Sequence, residues 1–183
     1  MIPPHHMATH SGGYVNLLDP DPDTITLQDI AHALSYEPRF GGHSRRFYCV
    51  AQHSVLVSRL VPKEYALEGL LHDAHEAYCK DIPSPLKGII AGHGSPYRSV
   101  EETLDTVIRR KYGLPESMSS PVADADRVTL ASEAKVLMKE GEWLKWFDPP
   151  PETIDIGRIM SHRSAKAAFI RRFGQLASKA GIS

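Results

Sequence analysis

Leu71-His72-Asp73-Ala74-His75-Glu76 sets an imidazole, an adjacent carboxylate and a second carboxylate four residues beyond the histidine. Those groups can bind a divalent cation and move a proton beside it. Leu67, Leu70, Leu71 and Ala74 recur at helical spacing, which predicts one helix over residues 63–78. On it His72 and Glu76 stack on one face, with Asp73 turned by roughly a third of a revolution. His-Asp pairs also arise by chance on polar helix faces, so this one gains meaning only from partners elsewhere.

Two other apolar runs offer partners. His53 interrupts the run 48–61, where a lone histidine is ordinarily a hydrogen-bonded core residue. Asp126 lies in a helix expected over 120–140 and shares a face with Leu130 and Glu133. Alone, Asp126 is a first-turn carboxylate favoured by the helix dipole, and Glu133 either backs the site or faces solvent. Taken together, His53, His72, Asp73 and Asp126 suit one divalent transition metal: cobalt, manganese, zinc, iron or nickel. Water on such an ion is far more acidic than bulk water. Glu76 is spaced to move protons there, and Arg39 and Lys87 are cations suited to phosphate charge. The ordinary reading of Asp81 and Lys87 is surface charge; their closeness in sequence to the His-Asp stretch places them at a site's rim.

The elements that must position these groups are helical. Thr26 with Asp29 resembles an N-terminal capping box, and Leu27, Ile30 and Leu34 follow on one face until Glu37-Pro38. Next comes the loop Arg39-Phe40-Gly41-Gly42-His43, whose paired glycines permit a sharp turn or a close approach to a ligand. Pro62 stops the second helix, Ser84-Pro85 starts a short one, and Gly113 ends a long one over 95–112. A last helix over 164–178 carries Ala165, Phe169, Phe173 and Leu176, with Arg171 and Arg172 read as solvated. Trp143, Trp146 and Phe147 read as a cap on the core. The expected architecture is an all-α globule of about six helices: a flexible leader over 1–13, then one domain over 14–183.

A net charge of −1 with 23% charged residues leaves no basic footprint for a nucleic-acid polymer. No apolar run is long enough for a membrane span, and the N-terminus lacks a charged-then-apolar signal. Cys49 and Cys79 have no disulfide or zinc spacing and read as reduced thiols. The expected location is the cytoplasm, or the host cytoplasm for a phage-encoded chain.

The pattern His53 … His72-Asp73 … Asp126 resembles the signature of the HD phosphohydrolase superfamily. Three blocks carry the likeness: RFGGHSRRFYCVAQHSVLV (39–57), HDAHEAYCKDIPSPLK (72–87) and ADRVTLASEAKVLM (125–138). They are similar to blocks of the short bacterial 5′-deoxynucleotidases and of phage dATP triphosphohydrolases. The resemblance implies an HD-domain fold, with His53, His72, Asp73 and Asp126 as metal ligands and Glu76 as general acid/base. It implies that Asp81 sits near the attacking water or the sugar hydroxyl, and that Arg39 and Lys87 contact phosphate. Phe40 falls where relatives often carry a tryptophan thought to press on the sugar, and His43 and Gln52 lie nearby. The implied substrate is a small-molecule (deoxy)nucleoside 5′-phosphate, and the implied assembly is a homo-oligomer.

The block spelling leans towards a dNTP, with dATP as the model, over a dNMP. A non-catalytic nucleotide-binding scaffold is the reading from another class. A cyclic-nucleotide or (p)ppGpp hydrolase ranks below both, because the chain lacks the extra histidine segment that bimetallic relatives use. His75 and His93 receive no role.

Overall fold

The computed structural model describes residues 3–139, 141 and 152–180. Among the described residues, the regular elements are helical apart from one two-stranded hairpin. Trp143, Trp146 and Phe147, expected to cap the core, lie outside the described residues.

Where a flexible leader was expected, β1 (His6–Ala8) pairs antiparallel with β2 (Tyr14–Asn16), Met7 opposite Val15. The hairpin is tied down rather than frayed. Ser11 donates from its backbone N–H and its hydroxyl to the buried Asp29 carboxylate, at 2.7 and 2.8 Å. Asp29 belongs to α1 (Leu27–Tyr36), and its N–H donates to the capping Thr26 hydroxyl at 3.1 Å, as the capping box predicts.

The central element is α2 (Val50–Leu60), packed against α1 and against α3 (Ala66–Leu71), α7 (Ser120–Leu137) and α8 (His162–Ala180). Its valines are poor helix formers, but Val50, Val55 and Val57 are buried, and burial outweighs propensity here. Gly69 of α3 shows how close the approach to α2 is. A Cβ there would lie 3.3 Å from Ser58 Cα and 3.2 Å from a Val61 methyl.

The single helix expected over 63–78 is broken. A 3-10 turn (Lys63–Tyr65) leads into α3, the chain turns through 72–75, and α4 (Glu76–Cys79) follows. Across the break Ala74 N–H bonds Leu71 O, and Glu76 N–H bonds Asp73 O, both at 3.0 Å in the tighter i to i−3 pattern. Apolar periodicity survived this change because His72 and His75 keep right-handed helical backbone angles.

The short α5 (Ser84–Gly92) buries none of its residues, whereas α6 (Tyr97–Lys111) buries Leu104 and Ile108. Arg172 is not solvated as expected. Its guanidinium donates to Ser58 Oγ at 2.9 Å and Ser58 O at 2.7 Å, fastening α8 to α2. Gln52 also has a structural task, bonding Arg158 O and Met160 N–H of the segment that leads into α8. Among the described residues no helix is long and apolar enough to cross a membrane.

Candidate metal centre

Three elements meet at one point: α2 brings His53, the break after α3 brings His72 and Asp73, and α7 brings Asp126. The Nε2 atoms of His53 and His72 are 3.3 Å apart. Asp73 Oδ2 lies 3.1 Å from His72 Nε2 and 3.6 Å from His53 Nε2. Asp126 Oδ1 lies 3.0 Å from His53 Nε2 and 3.8 Å from His72 Nε2. Both imidazoles are buried, while the two carboxylate side chains are 15% and 34% exposed, so the cluster opens to solvent on the carboxylate side.

The donor set fits a divalent ion. The far nitrogen of each ring is already engaged: His53 Nδ1 with Glu133 Oε1 at 2.8 Å, and His72 Nδ1 with Gly69 O at 3.0 Å. With Nδ1 the donor in both rings, two Nε2 lone pairs and two carboxylates converge, and only positive charge satisfies acceptors so arranged. The titration directions agree. Burial works against the His72 cation, but Asp73 and Asp126 override it and hold that imidazole well above its ordinary value. Burial raises the Asp73 and Asp126 carboxyls, and the two histidines pull both far lower.

Arg39, Glu76, Asp81 and Lys87 each interact electrostatically with this cluster. Arg39 is buried, its Nε 3.2 Å from Glu133 Oε2 and its Nη1 3.7 Å from Asp73 Oδ2. It is therefore braced between two carboxylates, beyond the phosphate contact that sequence alone suggested. Glu76 is 5% exposed, with Oε2 buried and unpartnered. Burial, then the charges of Asp73 and Asp81, push its carboxyl well above the usual range. Burial likewise raises Asp81, opposed by Arg39. Lys87 Nζ sits 2.6 Å from Glu101 Oε1.

Phe40 packs beside Arg39, its ring centroid 5.8 Å from the guanidinium carbon. Its φ of 57° lies in the left-handed region, and Gly41 and Gly42 continue the turn at 58° and 80°. The paired glycines thus serve the sharp turn that sequence anticipated. His43 is exposed, and its Cδ2 lies with Pro83 Cγ around the position that a Gly41 Cβ would take.

Two carboxylates were missed or half-seen. Glu133 is fully buried behind His53 and Arg39. Its spacing of seven residues from Asp126 is the signal, since that is two turns along one helix face. Glu101 carried no signal at all, because its partners Lys87 and His75 lie on other elements. His75, expected to be a bystander, stands with Cys79 and Glu101 in a second group whose ligand-type atoms lie within 4.8 Å of one another.

The uncharacterised protein YfdR of Escherichia coli K12 is 46% identical over 156 residues, covering 84% of this chain and 85% of that one. The chain belongs to the YfdR family. An uncharacterised protein of Rhodobacter capsulatus is 31% identical over 180 residues, covering 88% of this chain and 90% of its own. No family model matches the sequence. The likeness to YfdR spans most of both chains rather than one motif, but neither relative's name states an activity. The chemistry therefore rests on the site.

Proposed function

We propose that the chain is a divalent-metal-dependent phosphohydrolase of the HD type, acting on (deoxy)nucleoside 5′-phosphates. The observation that carries this reading is the convergence of His53 Nε2, His72 Nε2, an Asp73 oxygen and an Asp126 oxygen, with both far ring nitrogens already bonded. Those four residues would hold the ion. When bound, it supplies Lewis acidity to a phosphate oxygen and makes a water acidic enough to serve as nucleophile.

The remaining work belongs to the surrounding side chains. Glu76, buried and with a carboxylate oxygen to spare, exchanges a proton with the nucleophile or the leaving oxygen. Arg39, 3.7 Å from Asp73 Oδ2, adds positive charge at the phosphate. Lys87 brings a second cation, and both Arg39 and Lys87 favour the ionised form of Asp81. Phe40, on its left-handed turn, is assigned to the sugar by the resemblance of the sequence blocks. The preference for a dNTP over a dNMP rests on the resemblance of the sequence blocks.

The test is direct. Protein stripped of metal and reloaded with manganese, cobalt or zinc is assayed on dNMPs, dNTPs and NTPs, with product analysis. Hydrolysis with release of phosphate or polyphosphate supports the reading. Inert protein with every ion and nucleotide ends it in favour of a binding scaffold, and orthophosphate from monophosphates alone replaces the triphosphohydrolase version by the nucleotidase.

A further inference from the structure

We propose that Glu101 is a positioning residue, holding the Lys87 ammonium at the rim of the metal centre so that its remaining donors meet the phosphate oxygens of the substrate. The inference rests on the assignment of Lys87 to phosphate made above, and it names a residue that neither the motif nor the sequence blocks contain.

Lysine is a poor positioning device by itself. Its ammonium is a compact charge on a flexible stem, and ordering that stem costs about 2 kcal/mol of rotamer entropy. Packing does not order it here, because Lys87 lies on α5, which buries none of its residues. One contact fixes the ammonium instead, the 2.6 Å bond to Glu101 Oε1. An ammonium has three donors, so that bond leaves two for a ligand. Glu76 and Asp73 follow Glu101 among the carboxylates that favour the Lys87 cation.

Glu101 is the anchored partner. It lies on α6, which is seated in the core by Leu104 and Ile108. The first turn of α6 is tied to the end of α4, where the Tyr97 hydroxyl donates to Cys79 O at 3.2 Å. His75 Nε2 stands 3.5 Å from the same Glu101 oxygen that Lys87 uses. The His75 imidazole beside it, with Lys87 adding to the effect, holds the Glu101 carboxyl down at about 2, so it is ionised at any working pH. Lys87, Tyr97 and Glu101 line an open cleft of about 350 Å³ between α5 and α6. The grouping of His75, Cys79 and Glu101 also has the residue types of a metal site. Its carboxylate oxygen, however, already carries the ammonium, which makes lysine the cation that this group serves.

The pair is partly exposed, 32% for Lys87 and 18% for Glu101, so its worth to folding is small and its worth to anion binding is what a substitution should reveal. The experiment uses the full-length, metal-reconstituted protein and measures binding of inorganic tripolyphosphate by calorimetry. The set is wild type, Glu101→Gln, Glu101→Asp, Lys87→Met and the Glu101→Gln/Lys87→Met double variant.

Glu101→Gln should weaken binding about tenfold, the worth of one charge-assisted contact. Glu101→Asp, which keeps the charge on a shorter arm, should lose less. The double variant should bind no more weakly than Lys87→Met alone, because Glu101 acts only through Lys87. Unchanged affinity in Glu101→Gln overturns the proposal, as does a loss that multiplies in the double variant. Failure of the wild type to bind tripolyphosphate overturns it too. Nucleotide turnover in the same preparations separates the two readings. Coupled anion binding without turnover retains the Glu101–Lys87 device and removes the hydrolase.

Discussion

Glu133 Oε1 lies 2.8 Å from His53 Nδ1, and the same carboxylate receives Arg39 Nε on its other oxygen at 3.2 Å. One fully buried carboxylate thus orients His53 and the Arg39 guanidinium, although 80 residues of chain separate it from the first. Removing a partner of a buried ion pair costs about 3–5 kcal/mol, because the charge left behind is unpaired. Glu133→Ala should therefore unfold at a markedly lower temperature than wild type by scanning calorimetry. Glu133→Gln keeps the shape and should fold, but titration should show metal affinity reduced about 10–100-fold. A Gln variant with wild-type affinity would show that His53 needs no carboxylate behind it.

Variants of Asp126 and Glu76 test separately the proposed holding of the ion and the proposed proton transfer. Asp126→Ala leaves a partly exposed position on α7 and should fold normally, yet emerge from dialysis without stoichiometric metal by elemental analysis. Glu76→Gln should retain the metal and lose about 10²–10⁴-fold in turnover, the usual worth of a general acid/base. Metal retained in the first variant would remove Asp126 from the ligand set, and near-normal turnover in the second would remove Glu76 from the chemistry.

Gly69 has a purely steric role. A Cβ there meets Ser58 backbone at 3.3 Å, and backbone in a packed pair of helices cannot step aside cheaply. Gly69→Ala should cost about 1–3 kcal/mol by denaturant unfolding. Because His72 Nδ1 is bonded to Gly69 O, the same variant should weaken metal binding. A neutral effect on both would mean that α2 and α3 part more easily than their packing indicates.

Metal removal should register as lost stability. An ion that binds only the folded state stabilises it by about 4 kcal/mol at a thousand times its dissociation constant. Chelation should accordingly lower the unfolding temperature of the wild type and leave Asp126→Ala nearly unmoved. Equal shifts in both would locate the stabilising ion elsewhere.

The two thiols should be slow to react. Burial pushes Cys49 up to about 11 and Cys79 up to about 12, so both are protonated at pH 8. A thiol reagent should modify neither rapidly in the native protein and both in denaturant. The rate should rise with pH as each thiol ionises, since only the thiolate attacks. Fast native labelling of Cys79 would show that α4 opens from α6.

Much of the fold was legible one turn at a time. Thr26 with Asp29, Pro62 and Gly113 announce helix ends through groups a few residues away, and the helices begin and stop close to those marks. The all-α class followed from periodicity in the same way, and His53, His72, Asp73 and Asp126 could be chosen by residue type and order. Tertiary structure alone decided the rest. It broke the helix at His72 and fixed the hairpin to Asp29 through Ser11. It also turned Arg172 onto Ser58.

The physical reason is range. A cap or a stripe is satisfied within a turn or two, so its signal is written locally. The partners of His53 Nδ1 and Lys87 Nζ come from helices that meet only when the core closes, so nothing beside His53 or Lys87 in the sequence records Glu133 or Glu101.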